Sequence, residues 1–286
     1  MTGPLVRHRS TAAGPYLTSI TPETAGWSYS GLRVLELPPG GQLELGTGPD
    51  EVIVLPLSGS ATVTCGKQHF TLAGRRSVFD RVTDFAYLPR DSDAVVCSAD
   101  GGRFALPSAR ATERLAPRYV AADQVPVELR GAGAASRQVN NFCAPEAFLA
   151  DRLIAVEVLT PGGNWSSYPP HKHDEQKEDE SQLEEIYYFE VARGGPAYQR
   201  VYSSGPGRDI DVCAEVGTGD VVLIPHGYHG PSMVAPGYDL YYLNVMGGPR
   251  RVWRFCDDPA HAWVRATWPG IPVDPRLPMT SAGGAA

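Results

Sequence analysis

Short apolar segments recur along the whole chain, and clusters of turn residues separate them. Residues 32–37, 51–57 and 240–246 are typical, because they are rich in valine, leucine, isoleucine and tyrosine. The 31 glycines and 26 prolines punctuate these segments, as expected for antiparallel strands joined by turns. Long stretches of helical periodicity are scarce. The pattern therefore predicts an all-β protein built from antiparallel β-sandwiches or barrels.

The predicted strands form two sets with a connection between them. The first set is 32–37, 42–45, 51–57, 61–65, 77–80 and 94–98. The second set is 153–159, 185–191, 198–202, 211–216, 220–224 and 240–246. The segment from 108 to 141 has alanine and glycine runs with scattered prolines, and is predicted to connect the two sets.

The two sets of strands look alike. Each contains a Pro-Gly-Gly turn, an acidic residue before an apolar strand, and a later aliphatic residue followed by proline. The acidic residues of this comparison are Glu51 and Glu185. These shared features indicate an internal duplication. We therefore predict two domains, residues 1–135 with the linker included and residues 136–286.

The pair His171 and His173 is the most informative polar feature of the chain. Alternate residues of a strand share one face, so a His-x-His pair points two imidazoles in the same direction. Glu185 opens the next apolar run, and His229 closes a Pro-Gly turn further along. Three imidazoles and a carboxylate suit a borderline divalent cation. The sequence therefore predicts a metal site made by these four residues.

Two of the four positions have rivals beside them. Glu184 and Glu185 are adjacent, so on a strand only one of them can face the histidines. We favour Glu185, and Glu184 becomes the ligand if the strand begins one residue later. His229 competes with His226, and we favour His229 as the first residue after the turn that can point back into the sheet. His226 would then be exposed, or near the mouth of the site as a proton-transfer group.

The two halves of the chain differ in the chemistry that they can support. The first half contains only His8 and His69 and no His-x-His pair, so we predict that it lacks a metal site. The acidic run from 174 to 180 in the second half is expected to be a solvated loop, because blocks of like charge repel each other. The catalytic function is therefore assigned to the second half.

Composition narrows the functional class. A chain of 286 residues can bury a large apolar core. Its five cysteines contain no CxxC pair, which argues against a disulfide framework or a thiolate zinc site. No segment has the length and apolarity of a membrane helix, and no secretory signal precedes the first strand. The net charge of −7 argues against nucleic-acid binding. We expect a cytoplasmic enzyme with neither membrane nor nucleic-acid partners.

The order of the metal motif resembles that of the cupin superfamily. There, His-x-His and Glu precede an apolar strand, and a Pro-x-Gly turn precedes a further His. Two spacings depart from the usual cupin pattern: His173 and Glu185 are farther apart, and His229 follows Gly227 one residue sooner.

A longer run points to one branch of that superfamily. Four segments are similar to sequences of the 5-deoxy-glucuronate isomerase family of inositol catabolism. They are TPGGNWSSYPPHKHD at 160–174, LEEIYY at 183–188, GDVVLIP at 219–225 and YDLYYLNVM at 238–246. These specific segments lie between residues 137 and 268, and the first half matches in general organisation.

The resemblance implies a fold and an activity. The fold is a bicupin, with a degenerate N-terminal cupin domain that has no metal site and a C-terminal cupin domain that carries the active site. The activity is the aldose–ketose isomerisation of 5-deoxy-D-glucuronate to 5-dehydro-2-deoxy-D-gluconate in myo-inositol catabolism. The family also suggests a homo-oligomer.

A related uronate isomerase family carries zinc on its His-x-His, Glu and His motif. By resemblance, this assigns His171, His173, Glu185 and His229 to a divalent metal ion in the present chain. Zinc is the expected ion, with manganese and iron as alternatives.

The implied reaction moves a proton from C2 to C1 of the sugar. As a hypothesis, the metal polarises the carbonyl and hydroxyl oxygens while a positioned base transfers the proton. The candidate bases are Glu157, His226, Tyr187 and Tyr242, and the sequence does not rank them.

The carboxylate of an uronate substrate needs a cation in the site. Arg200 and Lys172 are the candidates. Strand alternation turns Lys172 away from the two flanking histidines, so Arg200 is preferred. Replacing Arg200 with methionine is then expected to raise KM for the uronate.

Two other functions fit the same residues. Cupin sites of this ligand type also hold iron and activate oxygen, so a metal-dependent dioxygenase is the first alternative. A sugar-binding cupin without turnover is the second. Metal content and oxygen uptake separate the first from the isomerase, and tight binding without conversion identifies the second.

Overall fold

The computed structural model of the chain describes residues 3–285. Nearly all of the regular structure in this range is β-strand. There are two α-helices of four residues each, α1 (Pro22–Ala25) and α2 (Trp263–Ala266), and two 3₁₀ turns at Ala122–Gln124 and Ala192–Gly194. Neither helix approaches the length needed to cross a bilayer. Met1, Thr2 and Ala286, which the predicted domains include, lie outside the described residues.

The N-terminal domain is one curled antiparallel sheet of nine strands. Its central strand is long and pairs with four others, while the shorter strands close the curl. The strands are β2 (Tyr16–Ile20), β3 (Ser30–Leu37), β4 (Gly41–Gly46), β5 (Asp50–Cys65), β6 (Gln68–Arg75), β7 (Phe85–Leu88), β8 (Asp93–Ser98), β9 (Gly102–Arg110) and β10 (Arg118–Val120).

The C-terminal domain consists of two antiparallel sheets. The seven-stranded sheet contains β1 (Leu5–Val6), β11 (Val127–Arg130), β12 (Arg137–Cys143), β13 (Ile154–Thr160), β16 (Glu184–Val191), β19 (Val221–Ile224) and β21 (Leu240–Gly247). The six-stranded sheet contains β14 (Trp165–Ser166), β15 (His171–Lys172), β17 (Ala197–Tyr202), β18 (Asp211–Val216), β20 (Tyr228–Val234) and β22 (Cys256–Asp257). A separate hairpin, β23 (Thr280–Ser281) and β24 (Gly284–Ala285), ends the described chain.

The all-β class is confirmed, and three local expectations are corrected. Residues 77–80 form a turn rather than a strand. The predicted connection from 108 to 141 contains β10 and β11 and parts of two further strands. Strand β11 already belongs to the C-terminal sheet, as does β1 at the other end of the first domain. By sheet membership, the chain therefore leaves the first domain between β10 and β11.

Three apolar layers hold the molecule together, and strand alternation builds them. In β5, Val52 and Val54 face a core inside the N-terminal domain, whereas Ile53 faces a second core shared by both domains. In β16, Tyr187 faces a core between the two C-terminal sheets, and Ile186 faces the shared core. Because both faces of these strands are buried, their sequences are continuous apolar runs.

A buried carboxylate of the N-terminal domain holds a loop of the C-terminal domain. Glu51 accepts hydrogen bonds from the backbone N–H groups of Asp151, Arg152 and Leu153 at 2.9, 2.6 and 2.6 Å. The hydroxyl of Tyr87 donates a further bond of 2.7 Å to the same carboxylate. These bonds satisfy the charge of Glu51 away from water and tie β5 to the start of β13.

The C-terminal domain makes the reciprocal contact with Glu184. Its carboxylate accepts hydrogen bonds from the backbone N–H groups of Ser28, Tyr29 and Ser30 at 2.7, 2.7 and 2.9 Å. This loop leads into β3, just as the loop held by the other carboxylate leads into β13. We call these two sets of hydrogen bonds the Glu51 clamp and the Glu184 clamp. They are related by the internal duplication, and each attaches a loop of one domain to the other domain.

Strand pairing fixes how the two halves correspond. Val52 pairs with Leu88 and Glu185 pairs with Ile224, and a proline follows each of these partners. Glu185 therefore corresponds to Val52, and Glu51 corresponds to the residue before Glu185. The duplication is confirmed, but the sequence comparison that aligned Glu51 with Glu185 was wrong by one residue.

We expect Glu51→Gln to destabilise the protein by roughly 2 to 4 kcal/mol, because the amide removes the buried charge to which three backbone N–H groups donate. Glu44→Gln is the matched control, since Glu44 is exposed on β4, and it should leave stability unchanged. Urea unfolding measures both. Equal unfolding free energies for the two variants would contradict the role of the clamp.

Candidate metal centre

Three strands from the two C-terminal sheets bring the predicted metal ligands together. The short strand β15 pairs with β20 so that His171 lies opposite His229. Glu185 reaches the same space from β16 in the facing sheet. His173 lies just beyond the end of β15. The cluster thus occupies the interior of the C-terminal domain, between its sheets.

His173, Glu185 and His229 form the centre of the cluster. One ligand atom from each lies within 4.8 Å of the others. Glu185 Oε2 is 3.0 Å from His173 Nε2 and 3.1 Å from His229 Nε2. All three side chains are buried, the most accessible of them at 3%. Buried imidazoles around a carboxylate are a donor set that suits a divalent cation.

Backbone carbonyl groups orient the imidazoles. His173 Nδ1 is 3.1 Å from the carbonyl oxygen of Leu183, and His229 Nδ1 is 3.1 Å from that of Gly227. A carbonyl oxygen only accepts, so each Nδ1 carries a proton and donates it. This arrangement turns the Nε2 atoms towards Glu185, which is how histidine ligands of metals are usually held.

His229 Nε2 provides the test of whether a metal fits. This atom is buried and has no hydrogen-bond partner among the described residues, although the Glu185 oxygen lies nearby. A nitrogen lone pair and a carboxylate oxygen that face each other at this distance repel unless a cation lies between them. The donor set therefore fits a divalent metal ion bound at this point.

Burial and neighbouring charges shift the pKa values of the residues in the cluster. Burial alone would raise the pKa of Glu185, but the two histidines beside it lower that pKa to about 2. Burial opposes protonation of His173, yet its hydrogen bond to Glu185 outweighs burial and raises its pKa. Burial and the two neighbouring imidazoles hold the pKa of His171 well below its usual range. Glu185 is therefore ionised and His171 is neutral at pH 7.

His171 lies beside the three-residue centre rather than in it. Its ring centroid is 4.4 Å from that of His229 and 6.4 Å from that of His173. Its Nδ1 is 3.4 Å from the carbonyl oxygen of Pro169, and its ring packs on Phe255 at 4.7 Å. The structure brings three of the four predicted ligands together and places the fourth next to them, so its role as a ligand stays a prediction.

Asn244 supports the centre and was not predicted from the sequence. Its side-chain amide on β21 donates a 2.5 Å hydrogen bond to Glu185 Oε1. This leaves the other oxygen of Glu185 to face the histidines. Asn244 lies directly across from Tyr187 in the sheet, a relation that depends on strand pairing and is not visible in a single segment.

The alternative ligands lie elsewhere. Glu184 points out of the domain into the clamp described above. His226 is half-buried in the turn before β20, where its Nε2 is 3.4 Å from the carbonyl oxygen of Asp209. Neither residue reaches the three-residue centre.

The loop between His173 and β16 is not fully solvated, which corrects the expectation for the acidic run. Asp174 and Glu180 are buried, and the ammonium of Lys172 bridges them at 2.8 and 2.9 Å. Asp174 also accepts a 2.9 Å hydrogen bond from the backbone N–H of Gly227, two residues before His229. Asp174 therefore ties the His-x-His segment to the turn that carries the next ligand.

A pocket opens beside the metal cluster. Valine and aromatic side chains form its apolar walls, and hydroxyl, amide and guanidinium groups line the rest. The lining residues are Arg130, Arg137, Val139, Val156, Val158, Ser167, His171, Glu185, Tyr187, Tyr242, Asn244, Trp253, Phe255 and Arg265.

Two of the four predicted bases, Tyr187 and Tyr242, line this pocket. The Tyr187 hydroxyl is 2.9 Å from Ser167 Oγ, and the Tyr242 hydroxyl donates a 3.0 Å bond to Ser166. Burial raises the pKa of Tyr242 to about 12 and that of Tyr187 well above 10. Both phenols therefore keep their protons at pH 7.

The other two candidate bases do not line the pocket. Glu157 lies between Val156 and Val158, which face the pocket, so its own side chain points to the opposite face of the sheet. There it pairs with Arg75 of the N-terminal domain and accepts a 2.9 Å bond from Tyr241. Glu157 is thus part of the contact between the domains, which corrects the expectation that it serves as a base. His226 is likewise absent from the lining.

Neither cation predicted for the substrate carboxylate lines the pocket. Lys172 faces away from the histidines, as strand alternation requires, and is held by the two buried carboxylates. Arg200 pairs with Asp211 in a separate open groove on the outside of the six-stranded sheet. Alternation explains this as well, because its neighbour Val201 faces the core. The preference for Arg200 is therefore corrected.

Comparison with known proteins identifies the family. A family model described as the KduI/IolB family matches residues 5–264. A 5-deoxy-glucuronate isomerase from Geobacillus kaustophilus is 42% identical over 249 residues, which cover 86% of this chain and 89% of the relative. The chain belongs to the KduI/IolB family. A second relative, the 5-deoxy-glucuronate isomerase of Bacillus subtilis, is 39% identical and covers 86% of this chain and 91% of the relative.

Solved structures agree with this membership of the KduI/IolB family. An IolB-like protein from Salmonella typhimurium has a TM-score of 0.86 at 36% identity, and covers 92% of this chain and 100% of that one. An oxalate decarboxylase from Lactobacillus farciminis has a TM-score of 0.65 at 13% identity, covering 90% and 89%, which concerns the fold alone. The predicted family is confirmed, and so is the two-domain β fold.

We expect His173→Gln, Glu185→Gln and His229→Gln to lose most of the bound metal, because each removes an inner donor of the cluster. His226→Gln, at a histidine outside it, is the matched control and should keep the wild-type content of about one ion per chain. Elemental analysis after zinc loading and dialysis measures this. His171→Gln in the same series tests whether the neighbouring imidazole is a fourth ligand. Full metal retention by Glu185→Gln would contradict the site.

Asp174→Asn should weaken metal binding by roughly 10- to 100-fold, the usual effect of removing a group that positions a ligand. Its carboxylate holds both the His-x-His segment and the turn before His229. Asp209→Asn is the control, because Asp209 is exposed in the same region. Competition with a chromophoric chelator gives both affinities, and equal values would show that Asp174 does not position the ligands.

Proposed function

We propose that this protein is a metal-dependent aldose–ketose isomerase that converts 5-deoxy-D-glucuronate into 5-dehydro-2-deoxy-D-gluconate. Membership of the KduI/IolB family supports the reaction, since relatives about 40% identical over most of the chain carry that activity in their names. The observation that carries the proposal is the buried His173, Glu185 and His229 centre, which opens onto a pocket with cationic groups.

The metal ligands in this proposal are His173, Glu185 and His229, with His171 as the fourth. We propose zinc as the ion, because imidazole and carboxylate donors in a partly open site suit it, with manganese and iron as alternatives. A divalent ion bound there supplies Lewis acidity to the carbonyl end of the sugar.

The chain's own residues prepare the site for the reaction. Asn244 holds one oxygen of Glu185 and leaves the other for the ion. Tyr187 and Tyr242 present protonated phenols on the pocket wall, so in this proposal they donate hydrogen bonds rather than act as bases at pH 7. The valine and aromatic walls lower the local dielectric, which strengthens the electrostatic contacts inside the pocket.

The N-terminal domain has a supporting role in this proposal. Val52 stands where the C-terminal domain has Glu185, and apolar side chains fill the interior around it. Its contribution is the Glu51 clamp and the shared core. We therefore propose that the C-terminal domain, from β11 onwards, carries the active site, while the N-terminal domain fixes the sheet from which Glu185 projects.

Compartment and assembly stay predictions. All five cysteines are free thiols, in keeping with a reducing cytoplasm. A homo-oligomer is expected from the family resemblance, and gel filtration with light scattering would measure it.

We expect the zinc-loaded protein to convert 5-deoxy-D-glucuronate, and a chelator to abolish the conversion until metal is restored. Proton transfer from C2 to C1 through a solvent-accessible base should introduce deuterium at the new CH2OH carbon when the reaction runs in D2O. Proton NMR measures both effects. Oxygen uptake by the iron-loaded protein without isomerisation would favour the dioxygenase, and tight sugar binding with no conversion under any metal would favour the binding protein.

A further inference from the structure

Arg137 is a buried cation in the wall of the active-site pocket. It is 6% exposed and begins β12, and its side chain lines the same pocket as His171 and Glu185. Within the described residues its side chain makes one hydrogen bond, from Nη1 to the carbonyl oxygen of Ala135 at 3.0 Å. No carboxylate of residues 3–285 forms an ion pair with it.

The two other arginines of the pocket wall have partners. Arg130 binds Glu128 through two hydrogen bonds of 2.9 and 2.7 Å and lies over the ring of Trp253. Arg265 pairs with Asp257, with a bond of 2.7 Å from Nη2 to Oδ1. Each of these two positive charges is therefore balanced by a neighbouring carboxylate.

The position of Arg137 is electrostatically unfavourable in the protein alone. Strand pairing places Arg137 directly opposite Arg130, and like charges facing each other across strands destabilise a sheet. Burial, together with the charges of Arg130 and Arg265, lowers the pKa of Arg137 to about 10. A buried charge without a counter-ion costs free energy, and an anionic ligand in the pocket would remove that cost.

We propose that Arg137 binds the carboxylate of the substrate. The inference rests on the proposed isomerase function and deepens it, because it names the group that recognises the acid end of the sugar. A guanidinium binds a carboxylate through two parallel hydrogen bonds, which fixes orientation as well as position.

This contact fixes the orientation of the substrate in the pocket. An open-chain uronate has its aldehyde at one end and its carboxylate at the other. With the carboxylate on Arg137 of the seven-stranded sheet, the aldehyde end is left for the metal site, whose histidines lie on the side of the facing six-stranded sheet. A neutral aldose would leave the buried guanidinium unpaired, so Arg137 also selects acids over neutral sugars.

Kinetics of Arg137→Gln and Arg137→Lys test the proposal. We expect Arg137→Gln to raise KM for 5-deoxy-D-glucuronate by roughly 10- to 100-fold, with a smaller change in kcat, because a charged hydrogen-bonded contact is lost. Arg137→Lys should fall between it and wild type. Arg33→Gln is the control, since Arg33 lies over Tyr16 in the N-terminal domain, and it should have the wild-type KM. An unchanged KM in Arg137→Gln would overturn the proposal.

Binding without turnover separates this proposal from the isomerase function. Calorimetry with D-gluconate and its neutral linear counterpart D-glucitol should show that wild type prefers gluconate and that Arg137→Gln loses the preference. If wild type keeps the preference but does not isomerise, the isomerase function fails and the carboxylate site stands. If wild type isomerises but Arg137→Gln still prefers gluconate, the carboxylate site fails alone.

Stability and metal content distinguish ligand binding from a structural role. Arg137→Met removes the unpaired charge, so its unfolding free energy without ligand should be no lower than that of wild type, and its zinc content should be unchanged. Urea unfolding and elemental analysis measure these quantities. A marked loss of stability or zinc would assign Arg137 to the framework and overturn the proposal.

Discussion

Successive side chains of a strand point to opposite faces of its sheet, and β16 depends on this constraint at Glu184 and Glu185. Glu184 leaves the C-terminal domain and binds three backbone N–H groups of the N-terminal domain. Glu185 enters the C-terminal domain and meets His173 and His229. Two adjacent carboxylates thus join the domains and form part of the candidate metal centre, and a shift of one residue would disrupt both.

Other buried carboxylates also join distant segments of the chain. Glu157 joins Arg75 between the domains, while Asp174 and Glu180 hold Lys172 behind the histidines. Each carboxylate has several donors, as buried charge requires. Arg137 is the contrasting case, because among residues 3–285 its side chain has one hydrogen-bond partner, the backbone carbonyl of Ala135. The unpaired charge of Arg137 indicates an anionic ligand from outside the chain.

Much of the fold can be predicted from the sequence, because local patterns of apolar and turn residues determine where the strands lie. Continuous apolar runs predict β5, β16 and β21, since these strands are buried on both faces. The alternation of a strand and the position of a turn likewise predict the His-x-His pair, Glu185 and His229 as ligands. The structure brings His173, Glu185 and His229 together and places His171 beside them.

The remaining features depend on pairing between distant segments. Asn244 supports Glu185 only because β21 pairs with β16, and Arg137 meets Arg130 only because β12 pairs with β11. The clamp of Glu51 binds backbone N–H groups, which leave no mark in the pattern of side chains. Arg200 and Glu157 carried suitable chemistry in the sequence, but alternation turned Arg200 to the outside of its sheet and Glu157 towards the other domain.

The most direct test of the metal centre is anomalous diffraction from crystals of the zinc-loaded protein. We predict one strong peak at about 2.0–2.2 Å from His173 Nε2, His229 Nε2 and a Glu185 oxygen, and the same map shows whether His171 is the fourth ligand. A peak elsewhere in the molecule, or none between Glu185 and the two histidines, would rule out a metal site at these residues.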